Sequence, residues 1–229
     1  VLAYQMQGSY PQAEQVAADA IRQQPRNARL HLLYGQSLMG SGRYTQTIEA
    51  ANDALKYDPD LIEAYVLRGM AYTNLNKYSL AVSDFDEALE RDPAHEQARN
   101  ERIWAFIQME DYDRALADIN AILADDPDNF DMLLQRAQVF AAQDNREAAY
   151  ADLARALEIT ASDGDPYRKV SALLERAIIA RQFKDTPQAL ADYDELLQLY
   201  PGDSGYALEK GMTYWEQGDK AEADAAFVL

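Results

Sequence analysis

Residues 62–95 read IEAYVLRGMAYTNLNKYSLAVSDFDEALERDPAH. Two apolar patterns of helical period lie in this stretch, parted near Asn76 and closed by Asp92-Pro93. Counting Ile62 as position 1, small residues stand at positions 8, 20 and 27 (Gly69, Ala81, Ala88). Rings stand at positions 4, 11, 17 and 24 (Tyr65, Tyr72, Tyr78, Phe85). Small residues at fixed helical positions let two helices approach closely, and large ones a turn away fill the grooves between them.

The pattern repeats outward in both directions. Pro25, Pro59, Pro93 and Pro127 are 34 residues apart. Position 8 reads Gly35, Gly69, Ala137, Ala177 and Gly211, with Ile103 the exception, and position 20 reads Ala13, Thr47, Ala81, Ala115, Ala149, Ala189 and Ala223. A fixed period of this length means stacked copies of one two-helix unit, each contacting its neighbours, and not one closed globule. About 13 helices of roughly 12–17 residues and no strand are predicted.

On these residues the chain resembles the tetratricopeptide repeat family. The resemblance implies an all-α, right-handed α-solenoid of antiparallel helix pairs, its concave face lined by the first helix of each pair. The chain reads as one such solenoid over 1–229. It comprises a partial repeat 1–27, repeats 28–61, 62–95, 96–129 and 130–163, an insertion 164–169, repeat 170–203 and a partial repeat 204–229. Both ends fall inside predicted helices, and helical arrays need polar caps, so a piece of a longer chain is expected.

The period fails once. Pro127 and Pro201 are 74 residues apart, two units plus six. Ala161 replaces the proline, and Asp163-Gly164-Asp165-Pro166 is a stop-and-restart signal, with Asp165 as N-cap and Pro166 at the first helical position. A longer loop between Thr160 and Pro166 is expected, followed by a first helix lengthened by about one turn at its start. This is either a tolerated surface insertion or a change of pitch.

Charge also repeats. Arg68, Arg102, Arg136 and Arg176 occupy position 7 of four successive units, and Asp84, Asp118, Asp152 and Asp192 occupy position 23 of the same units. Where position 7 is Tyr34, position 23 is Ala50, although Lys210 faces Ala226. An Arg–Asp bridge within each repeat is the natural reading, and an arginine ladder for an anionic ligand is the alternative. The net charge of −18 comes from 39 acidic and 21 basic residues. It suits a solvated outer face or a basic partner, and argues against nucleic acid. Outer-helix acids such as Asp86 and Glu90 are expected to matter little to binding.

The family resemblance implies that positions 2, 5, 9 and 12 of each first helix face the groove. The partner-binding residues expected there are Leu32, Met39, Val66, Met70, Asn100, Trp104, Ile107, Leu134, Ile178, Met212 and Trp215. Such an apolar stripe marks a contact surface. Three occupants are considered: a protein or peptide, further copies of this chain or fixed subunits of a complex, and an apolar small molecule or lipid. The carboxylate clamp of relatives that capture acidic tails is absent, because no repeat has Lys at position 5 and position 6 carries Glu101, Glu175 and Glu209.

No catalytic residue, metal site or cofactor is indicated. His31 and His95 read as structural, and cysteine is absent. No apolar run approaches the roughly 18–20 residues needed to span a bilayer. Cytoplasm and periplasm both remain open.

Overall fold

The computed structural model describes residues 1–227, and every regular element among them is an α-helix. The chain divides into two compact units, Val1–Asp118 and Ile119–Leu229. The first holds α1 (Leu2–Met6), α2 (Tyr10–Gln23), α3 (Ala28–Gly40), α4 (Tyr44–Tyr57), α5 (Ile62–Asn74), α6 (Tyr78–Arg91), α7 (Glu96–Gln108) and the start of α8 (Tyr112–Asp125). The second holds the rest of α8, then α9 (Phe130–Ala142), α10 (Arg146–Asp163), α11 (Pro166–Gln182), α12 (Thr186–Leu199), α13 (Ser204–Gln217) and α14 (Lys220–Phe227). Within each unit consecutive helices pack in pairs, and each pair packs on the next.

The 34-residue register sets the helix ends. α3, α5, α7 and α9 are 13 residues long and begin at position 1, whereas α4, α6 and α8 are 14 residues long and begin at position 17. The residue before each repeat proline is barred from the helical region by the proline ring. Asp58 and Asp92 accordingly sit extended, at φ −143° and −135°. Position 15 is left-handed in each pair: Gly42 at φ 72°, Asn76 at 56°, Glu110 at 57°, Asp144 at 60°, Lys184 at 58° and Gly218 at 92°. Glycine, asparagine and aspartate tolerate this conformation, but Glu110 and Lys184 adopt it under strain.

Between paired helices the small positions are contact points. A Cβ built on Gly69 would lie 2.5 Å from the Phe85 ring. Phe85 is fully buried with Val66, Ala81, Ala88, Leu89 and Ala98. In the second unit, Tyr193 and Leu196 pack on Ala177, Ala180 and Ala189.

The insertion differs from the sequence expectation. α11 does start one turn early, at Pro166, and the Asp165 side chain caps it by accepting from the backbone N–H of Tyr167 and Arg168. The expected long loop is absent, because α10 continues to Asp163 and is 18 residues long. Without a proline at Ala161 nothing forbids the helix there. Thr160 Oγ1 donates to Leu157 O (2.8 Å) and Ser162 Oγ to Glu158 O (3.0 Å), so these polar residues are satisfied inside the helix. Gly164, at φ 71°, ends it in a left-handed cap.

Candidate functional site

The position-7 arginines are held by carboxylates on the following helix. Arg68 Nε and Nη2 donate to the two carboxylate oxygens of Asp84 at 2.9 and 2.6 Å. Arg102 holds Asp118 at 2.9 and 2.7 Å, and Arg136 holds Asp152 at 2.8 and 2.7 Å. Arg176 holds Asp192 at 3.0 and 2.5 Å. Asp84, Asp152 and Asp192 are buried. Burial pushes the Asp84 carboxyl up from its ordinary value, and the Arg68 hydrogen bonds and charge pull it back. The Arg68 guanidinium is raised, first by its hydrogen bond to Asp84. These arginines are committed to structure, which leaves no free ladder for an anion.

The arginines also have a second partner that the sequence reading missed. Nη1 of Arg68 donates to Asn52 Oδ1 (2.6 Å), that of Arg102 to Asp86 (2.6 Å) and that of Arg136 to Asn120 (2.7 Å). Each of these lies at position 25 of the preceding repeat. One arginine therefore ties its own helix pair and staples it to the pair before. The signal was present as a polar residue 16 positions to either side of each of these three arginines. Asp86 thus has a structural role in this network.

The first helices present the other face. In the first unit Met39, Val66 and Met70 line a hollow of about 260 Å³ with Gln36, Glu63, Leu67, His95 and Gln97. Val66 and Leu67 are buried there, whereas Met39 and Met70 are half-buried. Leu32 is also buried, in a cluster with Ala28, Ala54, Leu61, Ala64 and Leu67. Leu32 and Val66 therefore give little surface to a partner: position 5 wedges into the helix packing. Asn100 is exposed, and Ile107 packs against Val82, Ala105, Phe106 and Ala115.

Trp104 is 39% exposed and lies edge-on to Tyr78, with ring centroids 5.5 Å apart. It lines a second hollow, of about 420 Å³, with Thr73, Asn74, Asn76 and Glu101. Burial raises the Glu101 carboxyl above its ordinary value. Thr73 Oγ1 is buried without a hydrogen-bond partner. Glu63 and Thr73 stand at positions 2 and 12, which the resemblance turns to the groove, whereas Glu101, at position 6, had not been expected there. The acid at position 6 was the available signal for Glu101.

In the second unit Leu134 is half-buried against Ala137, Leu153 and Ile179. Ile178, Leu208, Met212 and Trp215 are exposed on α11 and α13. Arg181 stands among them but is neutralised by Glu209 and Glu216, the latter at 2.6 Å. Glu175 is raised by burial, and a hydrogen bond with Gln138 offsets part of the rise. On the second-helix side, burial and a hydrogen bond to Asp185 push the Tyr150 phenol up to about 12, which keeps it protonated at neutral pH.

Both histidines have structural partners. His31 is buried, with Nε2 2.9 Å from Pro25 O, and its ring packs on Tyr57. His95 caps α7, accepting from the Ala98 N–H through Nδ1 at 3.2 Å. Among the described residues no cluster of three or more His, Asp or Glu is placed to hold a metal ion. No helix among them is long and apolar enough to cross a membrane.

A family model described as tetratricopeptide repeat matches residues 62–95, and a second of the same description matches 1–62, 100–166, 152–204 and 174–228. No curated protein matched the chain in sequence. Among solved structures, a tetratricopeptide repeat protein from Parabacteroides merdae is 19% identical, over 99% of this chain and 87% of that one, with a TM-score of 0.77. The C-terminal part of a repeat protein of this kind from Cytophaga hutchinsonii is 20% identical, over 90% and 83%, with a TM-score of 0.72. YrrB, described as a TPR protein with an unusual peptide-binding site, is 16% identical, over 90% and 99%, with a TM-score of 0.65. At these identities the likeness is one of fold.

Proposed function

The chain belongs to the tetratricopeptide repeat family, and on that premise we propose that its first-helix face holds an extended segment of a protein partner. Proteins built of this repeat serve in general as interaction scaffolds, not catalysts. The observation that carries the reading is the pair of hollows on α3, α5 and α7, one lined by Met39 and Met70 and the other by Trp104. Methionine adapts to varied apolar shapes, and a partly exposed tryptophan is the side-chain type that most often dominates a contact. The peptide-binding site reported for YrrB is in keeping with such a use of the fold. The partner is a protein or peptide, with no cofactor and no nucleic acid.

Calorimetric titration of a captured partner tests this. Trp104→Ala weakens binding by about 2 kcal/mol or more, while circular dichroism stays that of the folded protein. Exposed Glu90, changed to Gln, is the control and leaves affinity unchanged. Normal binding by the Trp104 variant rejects the reading.

A second reading is favoured by the exposed Ile178, Leu208, Met212 and Trp215 of the second unit. Such a stripe is covered when copies of the chain, or fixed subunits of a complex, assemble on it. Mass in solution separates the two readings: a stable oligomer that Met212→Glu disperses supports this one, and a monomer at all concentrations rejects self-assembly.

A further inference from the structure

We propose that the hollow formed by Thr73, Asn74, Asn76, Glu101 and Trp104 is a pocket for a basic side chain of an extended partner segment. The same segment seats an apolar side chain in the neighbouring Met39–Met70 hollow. The inference rests on the first-helix reading above and gives the partner a chemistry.

The pocket offers acceptors and a ring face. The Glu101 side chain has no ion pair or hydrogen bond among the described residues, although it is half-buried. Thr73 lines the same hollow but is only 7% exposed, and its Oγ1 is closed off from solvent. The Asn74 amide is already spent on Met70 O (2.8 Å). Asn76 Oδ1 accepts from the Tyr78 hydroxyl (2.7 Å) and keeps a second lone pair. Tyr78 braces Trp104 edge-on. What remains open to a ligand is the Glu101 carboxylate, the second lone pair of Asn76 Oδ1 and the Trp104 indole, a set that suits an ammonium or guanidinium group.

Other occupants fit worse. An anion meets Glu101. A divalent metal ion finds a single carboxylate and an indole where it needs several oxygens. An apolar side chain would cover the Glu101 carboxylate and leave it without a partner. The chain's net charge of −18 attracts a basic segment and repels an acidic one.

The spacing of the hollows sets the motif. On α5 the first hollow is lined by Glu63, Val66, Leu67 and Met70 and the second by Thr73 and Asn74, and on α7 the two are lined by Gln97 and by Glu101 and Trp104. At about 1.5 Å per helical residue the centres are about 8–10 Å apart. An extended chain covers that span in two to three residues at about 3.3 Å each. The recognised element is therefore an apolar residue and an Arg or Lys two or three positions apart in an extended segment.

The test is selection from a randomised short-peptide library displayed on phage. The intact chain, Glu101→Gln and Glu101→Arg are used as bait, and the best peptides are titrated calorimetrically. The intact chain enriches segments with a basic residue two or three positions from an apolar one. Changing that basic residue to Gln then costs about tenfold in affinity with the intact chain, and less than about twofold with Glu101→Gln. Glu101→Arg shifts the selected residue to Asp or Glu. Enriched peptides without a basic preference, or with one that survives Glu101→Gln, overturn the pocket but leave peptide binding standing. Failure to enrich any peptide overturns both.

Discussion

Lys210 donates to Asp194 across a repeat boundary, Nζ to Oδ1 2.6 Å, and so makes alone the backward half of the contact that Arg102 makes with both Asp118 and Asp86. In sequence Lys210 looked like an exception, since Ala226 stands where an aspartate would be. Its partner lies 16 residues behind it, at position 25 of the preceding repeat.

The two halves of the contact differ in burial, and so in energy. The Asp84 side chain is 6% exposed and that of Asp194 is 52%. Asp84→Ala leaves Arg68 largely desolvated with only Asn52, and is expected to cost about 3 kcal/mol. Lys210→Ala removes a pair whose carboxylate stands half in solvent and costs less, about 1 kcal/mol. Urea denaturation of both variants checks the ranking, and equal losses would contradict it.

Gly69→Ala is expected to destabilise by about 1–2 kcal/mol even though alanine favours the helix. The added Cβ meets the fully buried Phe85 ring, whose surroundings leave it little room to retreat. Phe85→Leu, made together with Gly69→Ala, should recover part of the loss.

Glu101 gives a pH dependence with a definite sign. Burial raises its carboxyl in the folded chain above the unfolded value, so the folded state binds the proton more tightly. The ionised group therefore lowers stability, fully so above the folded pKa, and the penalty fades as pH falls toward the ordinary carboxylate range. Glu101→Gln should melt higher than the intact chain at pH 7, with the difference gone below about pH 4. Melting curves at several pH values decide, and a gap that widens in acid would refute the assignment.

Lys184 holds φ at 58°, a conformation costly for a side-chain-bearing residue. Lys184→Gly should raise stability by about 0.5–1 kcal/mol, a net of relieved strain over glycine's greater entropy loss. The shift in denaturant midpoint measures it.

The repeat was legible because proline, glycine and alanine mark places where the backbone itself is constrained, and such constraints act within a few residues. The break at Gly164-Asp165-Pro166 was legible for the same reason. The continuation of α10 through Thr160 and Ser162 was not. Those residues suit loops as well as helices, and only the loss of the proline at Ala161 decides. At the candidate site, Met70 and Trp104 fall on the first-helix face as their positions imply. Leu32 and Val66 do not stay open there, because their exposure depends on how closely neighbouring helices approach. The Glu101–Thr73 hollow needs two residues 28 positions apart to meet, and no local pattern announces that.

The six extra residues between Pro127 and Pro201 leave the bridge within the repeat past the corner intact. α10 and α11 are each four residues longer than their counterparts α6 and α5, and the connection shrinks from the four residues of Asp58–Leu61 to Gly164 and Asp165. Past it, Arg176 grips Asp192 as Arg136 grips Asp152. Length gained as helix at both sides of one corner leaves the pairing within the following repeat as it was, because each pair answers only to its neighbours. The corner is a splice point, where the chain can accept or shed material and keep the grammar of the repeats that follow.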